Sequence, residues 1–143
     1  MTVAPRAGAG PCCLEAMSTT VTEGIRITVQ PSFWPERSSP ESGQFAFAYA
    51  VRIANEGTAV AQLRSRHWII TDANGHVEEV KGEGVVGETP KLGPGERFEY
   101  RSWAMLRTPF GTMRGSYTFV RPDGSTFQAR IGEFALTKPN ALN

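Results

Sequence analysis

From Ile25 to Leu136 the apolar side chains recur at every second position, and no stretch repeats at the three-to-four-residue interval of a helix. Ile25, Ile27 and Val29 alternate with Arg26, Thr28 and Gln30. The clearest case puts Phe45, Phe47, Tyr49, Val51 and Ile53 on one face and Ala46, Ala48, Ala50 and Ala54 on the other. Such a strand buries its large residues between two sheets, while its alanines lie flat under a covering segment or face water. Phe47, Tyr49, Val51, Tyr117 and Phe119 are therefore expected in the core.

Turn residues divide this pattern into about seven strands. Asn55-Glu56-Gly57 ends the second, and Ala73-Asn74-Gly75 joins Ala61–Asp72 to His76–Lys81 as a hairpin, because both Asn and Gly tolerate positive φ. Phe98, Tyr100 and Ser102 resume the alternation. Thr108-Pro109-Phe110-Gly111 and Pro122-Asp123-Gly124 then bound a strand through Met113, Gly115, Tyr117 and Phe119. In the last strand the apolar face passes from Phe127, Ala129 and Ile131 to Phe134 and Leu136 only if one extra residue enters near Gly132-Glu133, which predicts a β-bulge. Seven strands with turn signals about every dozen residues predict an all-β fold, an immunoglobulin-like or fibronectin type III-like β-sandwich in two sheets. The strands near 24–31, 44–55 and 97–106 are assigned to one sheet.

Residues 1–19 are small, Pro/Gly-rich and aperiodic, and are read as a flexible N-terminal extension of a domain spanning 20–143. Cys12 and Cys13 are adjacent there and cannot by themselves bridge distant elements, so the core is expected to stand on packing. A total of 143 residues is enough for that. Fifteen Lys and Arg against fourteen Asp and Glu leave a net charge of +1, which gives no drive toward nucleic acid. No apolar run approaches the roughly 20 residues of a membrane helix, and residues 1–18 have neither the basic start nor the apolar stretch of a secretory signal. A cytoplasmic location without membrane insertion is expected.

Between Gly82 and Gly95 stand five glycines and two prolines in fourteen residues, read as a long crossover loop. With Phe47-Ala48-Tyr49, Arg66–Asp72, Leu92–Gly95, Thr108–Met113 and Ile131–Leu136, the stretch Gly82–Pro90 resembles the ApaG family in order and spacing over residues 20–142. Trp103 stands where the family pattern has glycine. The resemblance implies a fibronectin-type sandwich, a bacterial cytoplasmic protein, and an association with cobalt resistance and magnesium efflux. It adds no catalytic residues.

Gly82, Gly84 and Gly87 spell G-x-G-x-x-G, which in dinucleotide-binding folds sets a pyrophosphate against a helix N-terminus. Here Pro90, Gly93 and Pro94 follow instead of a helix, and Glu83 and Glu88 repel phosphate, so tight packing and positive φ are the stronger explanation. His67, Asp72, His76, Glu78 and Glu79 gather about one hairpin, yet one His and one carboxylate across its turn make an incomplete metal site. Ser65, Ser102 and Thr108 lack an evident base, so no catalytic residue is assigned. Phe33, Trp34, Trp103 and Phe110 are either interface anchors or plugs at the ends of the sandwich. The expectation is a non-enzymatic binding or regulatory module with no cofactor and no metal. It contacts a protein partner through Gly82, Gly84, Gly87 and Pro90 and the neighbouring strand surface, and forms a homodimer through sandwich strands or end loops, its sheet edges being poor in lysine. A phosphate or nucleotide binder using the same loop is the alternative, and a divalent-cation-responsive protein is the third reading.

Overall fold

The computed structural model describes residues 17–139. The N-terminal extension up to residue 16, with its Cys12-Cys13 pair, lies outside the described residues. Nine strands follow in order: β1 (Ser18–Thr22), β2 (Ile25–Phe33), β3 (Phe45–Asn55), β4 (Ala61–Asp72), β5 (Val77–Glu83), β6 (Lys91–Leu92), β7 (Arg97–Leu106), β8 (Phe110–Val120) and β9 (Thr126–Thr137). They form two antiparallel sheets, β1-β2-β3-β7 and β5-β4-β8-β9, with the short β6 also paired to β4. The seven expected strands are β2, β3, β4, β5, β7, β8 and β9, and the three assigned to one sheet share it.

The core lies where the alternation places it. Phe47, Tyr117 and Phe119 are fully enclosed, and Tyr49 and Val51 are buried beside them. Trp68 bridges the two layers, with its ring edge-to-face against Tyr49, Tyr117 and Phe134 at centroid distances of 5.3, 6.2 and 6.0 Å. Each such contact adds about 0.5–1.5 kcal/mol beyond the area it buries.

On the outer face of β3, Trp34 covers Ala46 and Ala48 and is itself buried, so it is a cover for the alanines and not an exposed anchor. Arg37 stands 5.3 Å from the ring centroids of both Trp34 and Trp103.

β1 was hidden from the periodicity because the row it turns toward β9 carries hydroxyls instead of hydrocarbon. Ser18 and Thr20 donate side-chain hydrogen bonds to the carbonyls of Gly132 and Arg130, and Thr22 accepts one from the Arg130 amide at 3.3 Å. Alternate residues of β1 thereby satisfy the otherwise free edge of β9 and zip the two sheets together along one side. The first described strand begins at Ser18.

The expected bulge is present: between the pairs Met113–Phe134 and Gly115–Ile131, Gly132 and Glu133 lie opposite the single residue Arg114.

Candidate functional site

The Gly82–Gly95 segment is not one long crossover. Gly82 and Glu83 complete β5 along β4, the Gly84 amide continues the ladder to the Arg64 carbonyl at 2.8 Å, and β6 returns to the same strand opposite Ala61 and Gln62. Between them the chain makes a two-residue hairpin in which Val85 and Glu88 exchange backbone hydrogen bonds of 2.8 and 2.9 Å. Glycine spacing alone cannot distinguish a crossover from an excursion that returns to its own strand, because both need positive φ.

The passage between sheets takes only the few residues after Leu92. There buried Asn55 donates to the carbonyls of Leu92 and Ala59 at 2.9 and 2.8 Å, while its backbone bonds Gly95 and Glu96.

Each glycine of the G-x-G-x-x-G spacing has its own structural cause. Val86 and Gly87 occupy the two central turn positions with φ of 43° and 82°, as a type I′ turn requires. Gly84 has φ 65°, and a Cβ there would overlap the Glu88 carbonyl. A Cβ on Gly82 would lie 2.8–2.9 Å from the guanidinium atoms of Arg66. The amides of Gly84, Val85 and Glu88 are all used within the protein and do not converge on a phosphate. Pro90 sits at the base of the excursion, where its carbonyl accepts the Leu63 amide at 2.9 Å. The loop instead presents Val86, a β-branched residue in left-handed backbone and more than half exposed. Val86 and Glu88 border a groove of about 590 Å3 that Phe98, Tyr100, Arg101 and Met17 also line.

Beneath the loop lies a polar cluster that sequence patterning did not single out. Arg66 pairs in register with fully buried Tyr117, and residues directly opposite in an antiparallel pair share a face, so this arginine points between the sheets. Its Nη1 donates to the carbonyls of Glu83 and Gly84 at 3.0 and 2.9 Å. The Tyr100 and Tyr117 hydroxyls are hydrogen-bonded to each other. Burial pushes the phenols of Tyr49, Tyr100 and Tyr117 above their ordinary range, and the nearby charge of Arg66 partly opposes this at all three. A signal did exist, because Arg66 stands in the same alternating row as Trp68 and Ile70.

The sequence also matches known proteins. The ApaG domain model matches residues 35–121. The chain belongs to the ApaG family. Protein ApaG of Anaeromyxobacter dehalogenans is 59% identical over 127 residues, covering 89% of this chain and all of that relative. Protein ApaG of Ralstonia nicotianae is 53% identical over 119 residues, covering 83% of this chain and 96% of that one. A crystal structure described as an ApaA protein from Bordetella pertussis superposes with a TM-score of 0.79 at 51% identity, covering 81% of this chain and 94% of the other.

Around the β4–β5 hairpin of this ApaG domain, the Asp72 carboxylate accepts the amides of Asn74 and His76, each at 2.9 Å, and so caps the turn. His67 Nε2 lies 2.8 Å from Glu79 Oε1, and that contact holds the Glu79 carboxyl below its usual range. Glu78 is exposed on β5, opposite Ile70. Among the described residues no three His, Cys, Asp or Glu side chains converge as metal ligands. Thr108 donates to the Phe110 carbonyl and accepts the Ala73 amide, which fixes the turn between β7 and β8. No helix among the described residues is long and apolar enough to cross a membrane.

Proposed function

We propose that this ApaG-family chain is a non-enzymatic interaction module of the cytoplasm whose binding surface is the Gly82–Pro90 excursion. The observation that carries this reading is Val86. A β-branched residue with φ 43° at a turn tip is unfavourable for folding, and this one is more than half exposed. Strain of this kind is retained where a side chain serves a contact outside the protein. The rigid sandwich and the groove beside Val86 and Glu88 give such a contact a fixed frame. Cobalt resistance and magnesium efflux would then be served through the partner that the module engages.

The edges support self-association as well. Of the four terminal strands, β1 and β9 are tied to each other by hydroxyls, and β5 exposes Glu78, Glu79, Lys81 and Glu83. The second half of β7, Ser102 to Leu106, carries no charged residue of its own. A homodimer through β7 would present two copies of the loop.

Capture of partners from bacterial lysate by the wild-type chain and by Val86→Asn tests the module. Asn accepts positive φ, so the turn persists while the apolar tip is lost. A partner retained by wild type and lost from the variant is expected; identical capture by both overturns the assignment.

A further inference from the structure

Arg66 is a cation turned inward and left without an acid. The described residues place no carboxylate in an ion pair with it, and its hydrogen bonds run only from Nη1, to two backbone carbonyls. Those two bonds account for both Nη1 protons and orient the guanidinium plane, with Gly82 providing the space for it. The parallel N–H groups of Nε and Nη2 remain, and these are the pair that a guanidinium offers to an oxyanion.

The tyrosine pair adds a further donor. Two hydroxyls that share one hydrogen bond use one of their two protons, and the other is left to donate. The sheet register brings these groups together: Arg66 lies opposite Tyr117 on one sheet, and Tyr100 reaches Tyr117 from the other. They lie on the side of the sandwich where β5 and β7 are the terminal strands, away from the β1–β9 closure. Tyr100 also lines the groove beside Val86 and Glu88, and neither Arg66 nor Tyr100 is fully buried.

We infer that Arg66, with the hydroxyls of Tyr100 and Tyr117, forms a binding site for a small oxyanion, a carboxylate or a phosphate group, entered between β5 and β7. The anion lies against the guanidinium beneath the glycine excursion and is not cradled by the glycine amides. It takes the free Nε–Nη2 edge and the remaining phenolic proton, and supplies the negative charge that the interior lacks around Arg66. The exposed Glu83 and Glu88 at the rim disfavour highly charged ligands, so a singly charged oxyanion fits better than a nucleotide polyphosphate.

The test is a titration of the full chain with sodium acetate and, separately, inorganic phosphate, at ionic strength held constant with chloride and followed by amide and arginine side-chain NMR shifts. Saturable shifts at Arg66, Gly82 to Gly84 and Tyr100 are expected with at least one anion, and the one that saturates at lower concentration identifies the preferred group. Arg66→Met is expected to weaken that binding by about tenfold or more. Tyr100→Phe, which keeps the ring, is expected to weaken it severalfold and serves if the arginine variant does not fold. Failure of both anions to saturate, or unchanged affinity in Arg66→Met or in Tyr100→Phe, overturns the site.

Discussion

Phe47 is fully enclosed and meets Phe33 edge-to-face at 5.5 Å, so Phe47→Ala removes a core ring with no route for water to replace it. Urea unfolding should show a loss of about 3–5 kcal/mol. A loss below about 1 kcal/mol would mean that the buried face of β3 is misassigned. Val86→Asn should act in the opposite direction: Asn tolerates the left-handed backbone, and the resulting Asn-Gly pair suits a type I′ turn, so stability should rise by about 1 kcal/mol in the same assay. A loss of stability would show that Val86 packs in a way that offsets its strain. The core residues were legible because burial follows the period of two. Asn55 was legible only as a turn former, since its bonds to Leu92 and Ala59 depend on where another part of the chain arrives.

At the scale of elements, the contact between β7 and β8 makes a prediction about pH. Burial raises the Tyr100 and Tyr117 phenols above their ordinary value of 10.0, and Tyr49 on β3 shifts the same way. Above that pH the unfolded chain releases these protons while the folded chain keeps them. Stability is therefore fully present below about pH 10 and falls as pH rises beyond it. Each tyrosine that ionises only on unfolding should steepen the fall by up to about 1.4 kcal/mol per pH unit. Urea unfolding between pH 8 and pH 11.5, with tyrosinate absorbance recorded in parallel, checks this. Tyrosines that ionise in the folded protein near pH 10 would refute the burial argument. The elements themselves differed in legibility: the Asn74-Gly75 hairpin and the bulge at Gly132-Glu133 follow from local turn chemistry and register, whereas β1 turns only Ser and Thr toward β9, in contacts that span more than a hundred residues.

For the whole molecule, the uncharged second half of β7 leads to the expectation that light scattering at micromolar concentration gives twice the 15.6 kDa chain mass. Replacing the exposed Met105 with lysine should shift the mass toward a single chain by placing charge on that edge. A single-chain mass for the unaltered protein across a dilution series would remove the dimer and leave a monomeric module.

The all-β class, seven of the nine described strands, the three neighbours of the first sheet, and the ApaG resemblance that the family match bears out are legible in the order of the residues. These follow from local chemistry: a pleated strand buries alternate residues, and a tight turn demands residues that tolerate its dihedrals. Folding in three dimensions is what returns the glycine segment to β4, lays Trp34 over the alanines, and brings Arg66 and Tyr117 to Tyr100 of the facing sheet. Each depends on which distant backbone or ring a residue encounters, and no periodicity along the chain encodes that encounter.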